Sequence, residues 1–156
     1  MQKNGDDIDI LLVEDNPDDV ELALMALRNT RLDQKLRVVR DGEAALDFLF
    51  CRGEFAHRSF ASQPRLILLD LKLPKVDGLE VLREIKRDPR TRSIPVVAMT
   101  SSNQERDMVD GYQLGLNSYI QKPVSFTRFQ RIITQLGDYW LNVNQSLPAR
   151  VCRERE

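Results

Sequence analysis

The sequence predicts a doubly wound α/β fold, a five-stranded parallel sheet flanked by five helices. Short apolar runs alternate with amphipathic stretches along the 156 residues, the order expected of β-α units wound on both faces of one sheet. Leu11-Leu12-Val13 and Leu66-Ile67-Leu68-Leu69 are continuously apolar, as strands covered on both faces should be. Residues able to do chemistry stand where the strands stop. In such sheets ligands bind outside the carboxyl ends of the strands.

The elements follow in order. Ile8 to Val13 reads as the first strand and stops at acids. Asn16-Pro17-Asp18-Asp19 then supplies an N-cap, a proline at the first helical position and two acids in the first turn. Val20, Ala23, Leu24 and Leu27 continue at helical spacing. Leu36 to Val39 is a short strand, and Asp41 caps a helix that should bury Ala44, Ala45, Phe48 and Leu49. Arg52 to Pro64 reads as a long surface loop, with Gly53, Ser59 and Ser62. Leu66 to Leu69 is the central strand. Asp77 and Glu80 suggest a capping box before Val81, Leu82 and Ile85. Ile94 to Met99 is a fourth strand with Pro95 at its entry, where a missing donor does little harm. Ser102 and Glu105 suggest a second capping box, ahead of Met108, Val109 and Tyr112, and Gly115 is placed to end that helix. Ser118-Tyr119-Ile120 is a fifth strand. The last helix carries Phe126, Phe129, Ile133, Leu136 and Trp140 on one inward stripe, interrupted by Gly137.

Composition narrows the function. Lys and Arg number 23 against 24 Asp and Glu, giving a net charge of −1. A protein built to coat nucleic acid would be strongly basic. No apolar run approaches the roughly 20 residues that span a bilayer, and MQKNGDDIDI lacks the pattern of a secretory signal. Cys51 and Cys152 form no metal spacing. A cytoplasmic single-domain protein is expected, without nucleic acid or membrane as partner.

The strand ends carry the chemistry. Glu14-Asp15 follows the first strand, Asp70 the third, Thr100-Ser101-Ser102 the fourth and Lys122-Pro123 the fifth. Carboxylates brought together repel one another unless a cation joins them. Hard oxygen ligands of this type suit magnesium, which takes one or two carboxylates plus a phosphate. A lysine and a hydroxyl would bind the remaining phosphoryl oxygens. Asp70, ending the most buried strand, is the candidate nucleophile for an aspartyl phosphate.

Val13-Glu14-Asp15-Asn16, Leu69 to Pro74 with Asp77-Gly78, Met99-Thr100-Ser101 and Tyr119 before Lys122-Pro123 resemble a bacterial response-regulator receiver domain. The resemblance runs from Ile8 to Trp140 and implies a flavodoxin-like receiver fold. It implies that Asp70 accepts a phosphoryl group from a sensor histidine kinase. Asp15 and Asp70 would bind Mg2+ directly, Lys72 through its backbone carbonyl and Glu14 through water. Lys122 would pair with the phosphoryl group, its bond to Pro123 being cis. Thr100 would move onto that group and Tyr119 rotate inward behind it, remodelling the surface of the fourth helix, fifth strand and fifth helix. Two positions depart from the commonest pattern: residue 14 is Glu where many members have Asp, and Lys72 could shield the phosphoryl group from water.

The Phe48-Leu49 to Arg52-Gly53-Glu54-Phe55 loop, Tyr139-Trp140-Leu141 and Leu147-Pro148 resemble the small regulators paired with cyanobacterial phytochromes, so a phytochrome-type kinase is the expected partner. With core 8–140 and tail 141–156, no output domain is expected. Tyr139, Leu141, Val143 and Leu147 are left over from the inward stripe, and such apolar residues suggest a homodimer interface. The alternative is a tail folded back on its own domain.

Rival readings are open at this stage. A phosphatase of the haloacid dehalogenase type would need a second aspartate where Lys72 stands. A flavin or nucleotide carrier would want a glycine- or hydroxyl-rich loop where Glu14-Asp15-Asn16-Pro17 stands. A receiver-like interaction module that is never phosphorylated would not need the acid set. The expectation is a phosphorylation switch rather than an enzyme.

Overall fold

The computed structural model describes residues 8–28, 30, 35–122 and 125–148. Five strands and five helices alternate: β1 (Ile10–Val13), α1 (Pro17–Leu27), β2 (Leu36–Val39), α2 (Gly42–Leu49), β3 (Leu66–Leu69), α3 (Gly78–Arg87), β4 (Val96–Thr100), α4 (Glu105–Gln113), β5 (Ser118–Gln121) and α5 (Phe126–Asp138). The sheet is parallel throughout, with strand order β2-β1-β3-β4-β5. Pro123 and residues 149–156, with Cys152, lie outside the described residues.

Two cores follow from the two-residue period of a strand. Leu11, Val13, Ile67, Leu69, Val96 and Ala98 face α2 and α3, packing on Ala45, Phe48, Leu49, Val81, Leu82 and Ile85. Their neighbours Ile10, Leu12, Leu66, Leu68, Val97 and Met99 face α1 and α5, against Ala23, Ala26, Leu27, Phe129 and Ile133. The polar entry of β4 is satisfied as expected, since Pro95 contributes only its carbonyl, which accepts from the Ile67 amide at 3.0 Å.

Helix ends agree with the sequence in part. The Asn16 side chain accepts from the Asp18 and Asp19 amides, and Asp41 accepts from the Ala44 amide. Gly115, at φ +108°, closes α4: its amide bonds to Tyr112 O and that of Leu116 to Gly111 O. This paired pattern needs a left-handed residue, which glycine adopts without strain. Neither capping box forms. Asp77 is the N-cap of α3 but makes no side-chain capping bond. Ser102 lies two residues before the N-cap of α4, Gln104; its Oγ accepts from the Gln104 amide at 3.3 Å and donates to Asp107 Oδ2.

The apolar spacing of α4 does not mark a buried face: Met108, Val109 and Tyr112 are 38 %, 43 % and 50 % exposed, while α4 buries only Asp107 and Gly111. Phe126 leaves the inward stripe and is exposed. The loop after α2 is not purely surface: it folds into short 3-10 turns that bury Phe55 and Arg58. The Arg58 guanidinium lies 3.5 Å from the Phe48 ring centroid and donates to Ser62 O at 2.7 Å. A π turn at Tyr139–Val143 extends α5 and turns Leu141 into the α1–α5 core, so Leu141 is not left over for a partner. Tyr139, Val143 and Leu147 do stay exposed.

Candidate functional site

Strand register assembles the site. Val13 pairs with Leu69, so the residues that follow, Glu14 and Asp70, stand side by side where the strand order reverses. That boundary is where a doubly wound sheet opens its crevice. Leu69 pairs with Ala98, and Thr100 with Gln121, which brings Thr100 and Lys122 to the same rim. Carboxylate oxygens of Glu14, Asp15 and Asp70 lie within 4.8 Å of one another. Glu14 and Asp70 are buried and Asp15 faces solvent.

The loop after Asp70 is held tightly. A Cβ on Gly78 would come within 2.4 Å of Asp70 O and 2.5 Å of Leu71 Cα, so only glycine lets α3 start this close to β3. The Lys72 amide then donates to Asp70 Oδ1 at 3.0 Å, fixing that carboxylate's orientation.

Lys122 centres the acids. Its ammonium donates to Glu14 Oε1, to Asp19 Oδ2 at 2.9 Å and to Asp70 Oδ2 at 3.4 Å. Leu12, Ala23, Leu68, Met99 and Phe129 wall the acids from within. Burial among them, helped by the neighbouring Asp70 and Asp19 carboxylates, pushes Glu14 from 4.5 up to about 9, against the pull of Lys122. Burial also raises Asp19, but hydrogen bonding with Glu14 and Lys122 outweighs it and holds Asp19 below the usual carboxylate range. Desolvation pulls Lys122 down, yet Glu14, Asp19 and Asp70 together hold its ammonium above the usual lysine range.

One lysine does not balance these carboxylates. Glu14 Oε2 is fully buried and, among the described residues, has no hydrogen-bond partner. An orphan carboxylate oxygen is costly, and a small divalent cation on hard oxygen donors would relieve both the repulsion and the orphan. The residues present fit such an ion.

Thr100 and Tyr119 belong to a second network. Buried Thr100 Oγ1 accepts from the Ser102 amide at 3.3 Å, and Tyr119 Oη donates to Ser102 O at 2.8 Å. Ser102 Oγ donates to Asp107 Oδ2 at 2.5 Å, and the Lys72 ammonium lies 3.2 Å from that same oxygen. Lys72 therefore joins the two networks, its amide at Asp70 and its ammonium at Asp107.

Two residues that no strand-end motif marks, Asp19 and Asp107, join these networks, and Ser102, expected as a capping residue, anchors Asp107. In the sequence Asp19 stands out only as an acid in the first turn of α1. An acid in the first turn of a helix that leaves a strand end is nonetheless carried over the rim, and that signal was available. For Asp107 nothing local pointed inward.

The chain matches the response regulator receiver domain model over residues 10–134. It is 41% identical over 140 residues to the response regulator Rcp1 of Synechocystis sp., covering 90% of this chain and 92% of that protein. It is 44% identical over 137 residues to a probable methanogenesis regulatory protein, FilR2, of Methanothrix harundinacea, covering 88% and 86%. Among solved structures, the phosphorylated cyanobacterial phytochrome response regulator RcpA superposes with a TM-score of 0.80 at 42% identity, over 88% of this chain and 96% of that one. The Mn(2+)-bound form of Rcp1 gives 0.79 at 39% identity, over 88% and 97%. These relatives share the flavodoxin-like fold described above, and the chain belongs to the response-regulator receiver family.

Proposed function

We propose that this receiver is a phosphorylation switch in which Asp70 takes a phosphoryl group from the histidine of a phytochrome-type sensor kinase. The observation that carries the reading is the convergence of Glu14, Asp15 and Asp70 within 4.8 Å, with the Lys122 ammonium 3.4 Å from Asp70 Oδ2. An Asp70 oxygen attacks phosphorus as the bond to the kinase histidine nitrogen breaks, leaving an acyl phosphate. Asp70 is rigidly held by β3, Gly78 and the Lys72 amide, so positioning is largely prepaid. Lys122 supplies a fixed positive charge for the phosphoryl oxygens.

Mg2+ would be held by Asp15, Asp70 and the Lys72 carbonyl, with Glu14 acting through water; bound there, it neutralises charge building on the phosphoryl oxygens. Thr100 and Tyr119 would carry the change to the surface of α4, β5 and α5, which a protein partner reads. The phytochrome assignment is supported by the likeness to RcpA, a cyanobacterial phytochrome response regulator. Membership of the receiver family supports a signalling protein that acts in the cytoplasm rather than an enzyme. Among the described residues no helix is long and apolar enough to cross a membrane.

Incubation with magnesium and acetyl phosphate should add ~80 Da, the mass of one phosphoryl group, and Asp70→Asn should abolish the gain. No gain in the unaltered protein would favour the unphosphorylated interaction module. A homodimer through Tyr139, Val143 and Leu147, exposed by 49 %, 58 % and 44 %, completes the proposal. Light scattering of the full chain should give a dimer mass that Tyr139→Glu with Val143→Glu reduces to a monomer.

A further inference from the structure

The cluster around Asp107 lies outside the phosphoryl site and has a shape that bears on how the site is read. Asp107 is 7 % exposed, on the first turn of α4. Its Oδ2 accepts from Ser102 Oγ at 2.5 Å and faces the Lys72 ammonium at 3.2 Å. Lys72 is half exposed and stands two residues after Asp70, with its amide already on Asp70 Oδ1. One long cationic side chain is therefore rooted at the phosphoryl acceptor and tethered at its far end to α4.

The rest of α4 gives it little hold. Asp107 and Gly111 are its only buried residues, and Met108, Val109 and Tyr112 point to solvent. The amino-terminal turn of this helix thus depends on polar contacts. Among charged neighbours, Arg106 lies 3.7 Å from Asp110 and attracts Asp107 more weakly than Ser102 and Lys72 do.

We infer that Asp107 is a positioning residue for Lys72: it holds the ammonium off Asp70 in the unphosphorylated protein. A phosphoryl group on Asp70, carrying a charge of about −1.5 to −2, competes with the single charge of Asp107 and draws Lys72 across. Asp107 then keeps only Ser102, and the first turn of α4 loosens. Because Ser102 also joins Thr100 and Tyr119, the same exchange reaches the pair assigned to signal coupling. The inference rests on Asp70 being the phosphoryl acceptor, and it adds a specific consequence: Asp107 sets how strongly Lys72 shields the acyl phosphate from water.

The test is the phosphoryl half-life of the full chain, loaded with magnesium and acetyl phosphate and followed by intact mass. Asp107→Asn keeps the shape and the Ser102 contact but frees Lys72, so the half-life should lengthen about three- to fivefold, the upper range of a modest ion pair. Lys72→Gln should shorten it, and adding Asp107→Asn to Lys72→Gln should then change it by less than about twofold. A merely structural role for Asp107 would alter the half-life equally in both backgrounds, and that result overturns the inference, as does an unchanged half-life in Asp107→Asn. Ser102→Ala gives a second route should Asp107→Asn fold poorly, since weakening the anchor of Asp107 should lengthen the half-life only when Lys72 is present. If the unaltered protein takes no phosphoryl group, the assignment of Asp70 fails and this inference falls with it; a normal mass gain with additive variants defeats this inference alone.

Discussion

Helices α3 and α4 sit side by side and flank the two halves of the site, yet they are attached by opposite means. α3 buries Val81, Leu82 and Ile85 completely, at 0 % exposure each, and each such side chain contributes about 1.5–3 kcal/mol. α4 buries a carboxylate and a glycine and leaves its apolar side chains in water. Apolar burial is non-directional and changes little with local charge. A hydrogen-bonded carboxylate with one lysine partner answers directly to a new anion nearby. The carboxylate half of the site, on β1, β3 and α3, is thereby built to stay still, and the hydroxyl half, on β4 and α4, is built to be re-paired.

The largest test of this contrast is Leu82→Ala. It should cost about 2–5 kcal/mol in urea unfolding, because a fully enclosed site collapses poorly around a lost side chain. A cost below about 1 kcal/mol would mean that α3 is no better anchored than α4. Next comes Gly78→Ala, whose Cβ meets Asp70 O and Leu71 Cα in backbone rather than in a flexible side chain. A loss of about 1–3 kcal/mol is expected, together with weaker magnesium binding by calorimetry. Normal magnesium affinity in that variant would show that the Asp70 loop is softer than the contact distances imply.

The third test uses pH. Glu14 is raised from 4.5 to about 9 in the folded chain, so the folded state holds a proton that the unfolded state has released. Its contribution is present below pH 4.5 and is lost as pH rises toward 9. Lys122, held above its ordinary range, keeps its own contribution throughout that window. In chelator, stability should therefore fall from acid to mildly alkaline pH, and Glu14→Gln should flatten the fall. Equal slopes in the two proteins would remove Glu14 as the cause. The smallest effect is expected on α4, where Met108→Ala and Tyr112→Ala should each change stability by no more than about 0.5 kcal/mol. A larger loss would show that α4 is packed rather than tethered.

Much of this was legible along the chain. Leucine and β-branched runs mark β1, β3 and β4 within two residues of their observed bounds, because strands buried on both faces leave no polar positions to blur them; the edge strands β2 and β5 are marked as closely although Arg37 and Gln121 face solvent. Asn16, Asp41 and Gly115 announced helix ends because their effects are local, made within a few residues of backbone. The inward face of α4 was not legible. Met108, Val109 and Tyr112 have helical spacing, but spacing says which residues share a face and not which face turns inward. Here that was decided by Gly111, whose missing side chain leaves room for Leu116 at 3.2 Å from an added Cβ, and by the hydroxyl of Ser102 meeting Asp107.

By itself, then, the sequence determined the strand order of burial, the helices that separate the strands, and the identity of the acids, hydroxyls and lysine at the strand ends, since each rests on contacts between near neighbours or on the period of the chain. Only the tertiary structure decided that Asp19 joins Glu14 and Asp70 around Lys122, that Lys72 spans from Asp70 to Asp107, and that Leu141 turns into the core. These depend on side chains that lie far apart in sequence meeting across elements, where register, helix rotation and the space left by a glycine select the partner.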